Sequence, residues 1–259
     1  MRILAINGSH RGEAGYTQFL IEKLFEGAAG AGAECESVTL SKLNIKRCIG
    51  CFACQKEGHS LTCIFEGKDD VAEVFEKMRR ADLIVFGTPV YIFFMSGLLV
   101  NLFNRYPSTC NCFDLKISRC GLRFHSIDAA LCSKPFVTLI SQDNVEEEIH
   151  RNIISYFKTY ARFMDAKYVG SLVRKSSFVA GHGKNDAKLI EYPVLNEIYA
   201  AFRQAGAELA MSGSISKRTQ KRANQDLIKI PFIVKYLARL PHFKGLIEKE
   251  MNQRMIRRS

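Results

Sequence analysis

The sequence predicts an α/β fold: a doubly wound parallel sheet of five strands in the order 2-1-3-4-5, with an insert before strand 4 and a basic helical extension at the C-terminus. Three observations predict it. Short apolar or β-branched runs alternate with longer amphipathic stretches. Turn residues follow each run. The first and third runs each end in a loop of small residues that leads into a helix. In sheets of this kind ligands bind beyond the carboxyl ends of the strands, beside the switch point between strands 1 and 3.

The elements follow in order. "RILAIN" (2–7) is the first strand, and "YTQFLIEKLFEGAAGAG" the helix behind it. "CESVTL" (35–40) is the second strand. Asp69 and Asp70 cap the helix "DVAEVFEKMRRA" that precedes the third, "DLIVFGT" (82–88). "SGLLVNLFNRY" follows the third strand, and an unassigned stretch (107–132) precedes the fourth, "PFVTLIS" (135–141). A loop of that length reads as a lid or binding element. "NVEEEIHRNIISYFKTYARFM" then begins with acidic residues, which suit a helix N-terminus. "KYVGSLV" (167–173) is the fifth strand, and "PVLNEIYAAFRQAGAEL" the last helix of the sheet domain. The domain is expected over 1–212 and the extension over 213–259.

Composition narrows the classes. The 259 residues carry a net charge of +11, but Lys217–Ser259 holds twelve Lys/Arg against three Asp/Glu. That segment accounts for +9, leaving +2 for the rest, so the basic character belongs to a tail. No apolar run of about 18 residues predicts a membrane-spanning helix, and "MRILAINGSHRG" reads as a strand and loop, not a signal peptide. A cytoplasmic location is expected. No nucleic-acid-binding module is recognisable. The tail reads as two helices, over 231–240 and 243–257, with Pro231 in the first turn and Pro241 as a stop. It is expected to pack on its own domain or a dimer mate; contact with an anionic membrane surface is the competing reading.

Two loops carry chemistry. "NGSHRGEAGYTQ" (7–18) is rich in small residues before a helix. Such a loop turns backbone amides around an anion at the positive end of the helix dipole. Ser9 and Thr17 add hydroxyls and Arg11 adds charge. It is neither GxxxxGK[ST] nor GxGxxG; on its own it fits a monophosphate site or an ordinary βα turn. "GTPVYIFFMSG" (87–97) supplies the hydroxyls of Thr88, Tyr91 and Ser96 and the flat surfaces of Tyr91, Phe93 and Phe94. A planar heterocycle needs such a wall; core or interface packing is the competing reading. "GHGKND" (181–186) reads as a surface turn.

The pairing of "GSxR…T" after strand 1 with "PVY…MSG" after strand 3 resembles the NADPH-dependent FMN reductase family of flavodoxin-like proteins, over about residues 1–212. The most similar branch carries a cysteine-rich loop after strand 2 that ends in an acidic pair, here "CIGCFACQKEGHSLTCIFEGKDD", and includes the iron–sulfur flavoproteins. The resemblance implies FMN, with its phosphate held by Ser9, Arg11, Tyr16 and Thr17. The ring would lie against Pro89, Val90, Tyr91, Ile92 and Phe93, with Ser141, Gln142 and Asp143 on a third loop. That loop, "SQDNVEEE", lacks the glycine-containing segment common in relatives, and Val100 and Asn104 replace a usual Lys and Asp. The implied activity is an FMN-dependent NAD(P)H oxidoreductase reducing a quinone, a flavin or another small acceptor, as a homodimer or homotetramer. No catalytic side chain is assigned; Tyr91 is a ring neighbour, and His125 in the insert is the weak candidate for proton transfer.

The thiols leave three arrangements open. Cys48, Cys51, Cys54 and Cys63 are spaced C-x2-C-x2-C-x8-C. They could ligate a 4Fe–4S cluster, hold zinc with His59 replacing one thiolate, or border the flavin as free thiols. A cluster would favour an electron carrier that passes electrons between FMN and a ferredoxin-like partner. Cys110 and Cys112 are further candidate ligands.

Overall fold

The computed structural model describes residues 1–56, 61–183, 185–228 and 230–256. It divides into two compact units, Met1–Leu227 and Ile228–Ser259. In the first unit the order is β1 (Arg2–Asn7), α1 (Tyr16–Gly30), β2 (Glu34–Thr39), α2 (Val71–Arg80), β3 (Leu83–Tyr91), β4 (Phe94–Met95) and α3 (Gly97–Phe103). There follow β5 (Cys110–Ile117), β6 (Arg123–Ile127), α4 (Ala129–Cys132), β7 (Phe136–Ser141), α5 (Glu148–Phe163), β8 (Tyr168–Arg174), α6 (Ala187–Glu191), α7 (Val194–Ser212) and α8 (Lys217–Ala223). The second unit holds α9 (Phe232–Leu237) and α10 (Pro241–Ile256). Pro241 opens the second of these helices instead of stopping the first, because proline is tolerated in a first turn.

The main sheet runs β2-β1-β3-β7-β8 with every neighbour parallel, so the five expected strands take the order 2-1-3-4-5. The sheet is apolar on both faces because helices cover both. On one face Leu4, Ile6, Phe86 and Phe136 meet Met78 of α2, Phe103 of α3 and Phe157 of α5. On the other, Ile3, Val85, Val137 and Leu139 meet Leu20 and Leu24 of α1 and Ile198 and Phe202 of α7. Each such side chain contributes about 1.5–3 kcal/mol by leaving water. α1 and α7 touch backbone to backbone. A Cβ on Gly27 would stand 1.8 Å from the Arg203 carbonyl oxygen, and one on Gly206 would stand 1.8 Å from that of Leu24.

Three local expectations change. The stretch 107–132 is an antiparallel hairpin, β5–β6, followed by the short α4; Phe113, Leu115 and Ile117 alternate with Asp114 and Lys116, a strand pattern inside the stretch left unassigned. β3 runs on through Pro89, which pairs in register with Ser141, and turns back into β4 through Ile92 and Phe93 at φ 43° and 64°. Asp70 occupies the N-cap of α2 without bonding its amides; its Oδ2 accepts from the Asn44 amide at 2.7 Å instead. Asp69 Oδ1 takes the Val71 amide at 3.3 Å.

β8 is an outer strand whose free side is filled by side chains. Gln220 of α8 accepts from the Ser171 amide at 3.2 Å, and Asn224 just after α8 accepts from the Val173 amide at 2.7 Å. Asn224 Nδ2 also donates to the Ser171 carbonyl at 2.9 Å. Two amide side chains, one helical turn apart, thereby stand in for a neighbouring strand. No helix among the described residues is long and apolar enough to cross a membrane.

Candidate functional site

Beyond the carboxyl ends of β1, β3, β7 and β8 lies a cleft with about 690 Å³ of empty space, counting the part open to solvent. Its walls come from four loops. Ser9, Arg11, Tyr16 and Thr17 supply one side, and Pro89, Val90 and Tyr91 the next. Ser141, Gln142 and Asp143 form a third, and Ser177 and His182 close it after β8. Ile92 and Phe93 are not among the lining residues; they stand on the turn beside Tyr91, 88% and 54% exposed.

The loop after β1 is held from beneath by Asn7, which is fully buried. Its Oδ1 accepts from the Ser9 amide at 2.9 Å, and its Nδ2 donates to Gln18 Oε1 at 2.9 Å and to the Gly12 carbonyl at 3.3 Å. Thr17 and Ser141 share a hydroxyl hydrogen bond of 3.0 Å, tying the first loop to the third. α1 begins after Gly15 with no side-chain cap. The first-turn amides of Tyr16, Thr17 and Gln18 therefore have no intrahelical acceptor. A Cβ on Gly15 would stand 2.6 Å from Ser9 Oγ, so only glycine leaves this cradle open. Uncapped amides, two hydroxyls and Arg11 form a donor set that fits a phosphate monoester. Thr88 and Ser96 serve the fold instead: Thr88 Oγ1 accepts from the Ser96 amide at 2.9 Å, and Ser96 Oγ caps α3.

The third loop is fixed by Gln142. Its Nε2 donates to the Asn144 and Glu146 carbonyls at 2.9 Å, and its Oε1 meets buried His150 Nδ1 at 2.7 Å. Ser177 Oγ donates to the Gln142 carbonyl at 2.9 Å. Burial pushes the His150 imidazole below its usual pKa. Burial, with Tyr199 2.9 Å away, pushes the Tyr16 phenol well above its ordinary value. Tyr16 is therefore a neutral hydrogen-bonding group. Arg174 is fully buried at the end of β8, where its guanidinium donates to the Lys175 and Gln225 carbonyls at 2.9 and 2.8 Å.

The cysteine loop is built differently. Cys48 and Cys51 are exposed, while Cys54 and Cys63 are half-buried. Buried Arg105 forms an ion pair with buried Asp69, donates to the Lys46 carbonyl at 2.9 Å and to Cys63 Sγ at 3.2 Å. Asp69 outweighs the burial penalty and raises the Arg105 pKa further. Buried Gln55 ties the loop to the hairpin: Nε2 donates to the Cys110 carbonyl at 2.8 Å, and Oε1 accepts from the Cys112 amide at 2.8 Å. Among the described residues no three of His, Cys, Asp and Glu are gathered to hold a metal ion. His59 lies outside the described residues. Burial drives the Cys132 thiol up to about 12, which makes it inert. His125 lies on β6, with its Nδ1 buried and unpartnered among the described residues, and it does not line the cleft.

Comparison with known proteins follows this geometry. Residues 1–116 match the family model described as NADPH-dependent FMN reductase. The matched stretch contains both loops, after β1 and β3, that carry the resemblance. A protein named iron–sulfur flavoprotein from Archaeoglobus fulgidus is 42% identical over 105 residues, covering 40% of this chain and 48% of that protein. This chain spans about half the length of the curated relatives it matches. Among solved structures, an NAD(P)H:quinone oxidoreductase from Methanothermobacter marburgensis superposes with TM-score 0.55 at 18% identity, over 81% of this chain and 98% of the other. An FMN-dependent NADH-azoreductase from Bacillus anthracis, solved in complex with FMN, gives TM-score 0.56 at 11% identity, over 81% and 100%. At these identities the solved structures speak to the fold, which is flavodoxin-like.

Asn7, His150, Ser177 and His182 were not singled out from the sequence. Asn7 had a signal: a polar residue ending an apolar strand before a glycine loop. His182 sits in "GHGKND", where glycine content marks a turn but not what the turn faces.

Proposed function

We propose that this chain is an FMN-dependent NAD(P)H oxidoreductase that reduces a quinone, a flavin or another small acceptor. The observation that carries this reading is the single cleft gathering the loop after β1, the wall after β3 and the loop after β7. Its support is the uncapped start of α1 beside Ser9, Arg11, Tyr16 and Thr17, a donor set suited to the FMN phosphate. Pro89, Val90 and Tyr91, continued by Ile92 and Phe93, then form the wall for the ring, and Ser141 and Gln142 border its polar edge. FMN supplies the redox chemistry: it accepts electrons from reduced nicotinamide and passes them to the acceptor. The protein binds the phosphate, orients the ring and limits water. The exposed apolar turn at Ile92–Phe93 suits burial in a homodimer or homotetramer, which light scattering on the purified protein tests.

The deciding experiment is an FMN titration followed by fluorescence. Saturation at one equivalent is expected, and Ser9→Ala with Thr17→Ala together are expected to weaken binding by about 1–3 kcal/mol, roughly 5- to 150-fold. No binding, or unchanged affinity in the double variant, would refute the site.

A second reading has its own support: the curated relatives are named iron–sulfur flavoproteins, and this chain has Cys48, Cys51, Cys54 and Cys63 after strand β2. Under it, the chain carries electrons between FMN, a 4Fe–4S cluster and a ferredoxin-like partner. Four iron and four sulfide per chain after anaerobic reconstitution, abolished by Cys54→Ser, would select it; flavin without stoichiometric iron would select the first.

A further inference from the structure

His182 is the one imidazole among the residues lining the cleft, and the chain holds it there by unusual means. The residue sits at φ 50° and ψ 29°, between Gly181 at φ 60° and Gly183 at φ 73°. Left-handed backbone is costly for a residue with a side chain and persists only where the surroundings enforce it. They do so here. The His182 amide donates to the Ser177 carbonyl at 3.0 Å. Gly183 is packed against Phe19 so closely that a Cβ would stand 2.6 Å from the ring. The imidazole lies edge-on to Tyr16 at 6.0 Å and to Phe178 at 6.3 Å. Its Nε2 meets Asp143 Oδ1 at 3.0 Å, while Nδ1 makes no hydrogen bond to the described residues. Asp143 is 67% exposed and the imidazole 24%, so the pair joins the cleft to bulk water. The other charged or titratable groups around it are Arg11 and Tyr16, which line the same cleft, and Lys188 of α6, which packs on Gly181.

We propose that His182, oriented by Asp143, is the catalytic proton donor to a quinone-type acceptor in this cleft. The inference rests on the oxidoreductase reading and adds the acceptor's chemistry to it. Reducing a quinone to a hydroquinone takes two electrons and two protons. With reduced nicotinamide as donor the sum is quinone + NAD(P)H + H⁺ → hydroquinone + NAD(P)⁺. With FMN bound, one hydrogen would reach the acceptor together with the electron pair. The second oxygen needs a proton. The imidazolium gives it up from Nδ1, an O–H bond forms as the N–H bond breaks, and the neutral imidazole, its Nε2–H still held by Asp143, regains a proton at Nδ1 from water that enters the cleft once the hydroquinone has left. An acid placed at the acceptor is the arrangement that general acid catalysis requires, and the carboxylate behind it fixes the ring's orientation and tautomer.

The test uses the full chain loaded with FMN and the variants His182→Gln and Asp143→Asn. The readout is the anaerobic rate of oxidation of the reduced protein by a benzoquinone, divided by its rate with ferricyanide, a one-electron acceptor that takes up no proton. The expected result is a fall of about 100-fold in that ratio for His182→Gln, in the range that general acid catalysis supplies. Asp143→Asn is expected to cause a smaller fall. A second readout needs no turnover. ¹⁵N shifts of the His182 ring in the cofactor-free protein should report the Nε2–H tautomer, and that preference should vanish in Asp143→Ala. An unchanged ratio in His182→Gln with FMN bound would overturn the proposal. So would the same fall in His10→Gln, whose ring lies 5.8 Å from Tyr91. Failure of the wild-type chain to bind FMN is a separate result and overturns the oxidoreductase reading together with this one.

Discussion

The cleft and the cysteine loop both lie beyond the carboxyl ends of sheet strands, yet they are organised by different physics. Neutral hydrogen bonds hold the cleft, from Asn7 beneath the first loop and Gln142 beneath the third. Most of these join residues close in sequence and satisfy a backbone group. The cysteine loop hangs on a buried charge pair, Arg105 with Asp69, and on Gln55, whose partners lie more than fifty residues away. The first arrangement is set before any ligand arrives. The second holds the loop at two points and leaves Cys48 and Cys51 facing water.

The largest effect should follow from breaking the charge pair. Arg105→Met leaves Asp69 buried without a counter-charge and should cost about 3–5 kcal/mol in urea unfolding. The folded variant should bind FMN within about threefold of wild type, because distant sites act independently. A large loss of FMN affinity would show that the two regions are coupled after all. Next is Asn7→Ala, which leaves the Ser9 amide and the Gly12 carbonyl without their partner. It should cost about 1–3 kcal/mol of stability. Fluorescence titration should also find FMN binding weakened about tenfold, because the loop is no longer preorganised.

A smaller effect comes from His150, whose pKa burial lowers. The sign follows from linkage: the native state favours the neutral ring, so its contribution is complete above the unfolded-state value of about 6.5 and is lost as pH falls below it. The slope should be at most about 1.4 kcal/mol per pH unit, and His150→Gln should remove that part of the slope in unfolding curves between about pH 7 and 5. The smallest concerns the turn beside Tyr91. Ile92 is a β-branched residue at φ 43° and 88% exposed. Ile92→Asn should therefore stabilise the monomer by up to about 1 kcal/mol, since asparagine tolerates this backbone region.

Much of this was legible in the sequence, and the misses have physical causes. The five strands were readable because a sheet buried on both faces needs continuous apolar runs, and "RILAIN" and "PFVTLIS" are such runs. Ser9, Arg11, Tyr16, Thr17, Pro89, Val90, Tyr91, Ser141 and Gln142 could be chosen because their loops resemble those of a known family, and they line one cleft. His182 could not. It lies eight residues beyond β8, and local composition does not report which way a strained turn points. The hairpin β5–β6 did leave a trace, since Phe113, Leu115 and Ile117 alternate with charged residues; that these side chains are 82%, 72% and 67% exposed is what the sequence does not report. Arg105 and Gln55 went unnoticed because nothing in their neighbourhoods marks a polar residue as buried.

The side chains that finish β8 bear on how far the chain can be shortened. Cutting after Ser212, where the periodic apolar pattern of the sheet domain ends, would delete Gln220 and Asn224 while leaving Ser171 and Val173 in place. Their main-chain groups would then be open to any extended peptide, and two shortened molecules could join sheet to sheet. Such a fragment should precipitate although most of its core remains, Ala223 and Leu227 being the core residues lost. The shortest well-behaved piece therefore ends after Leu227, where the first compact unit ends.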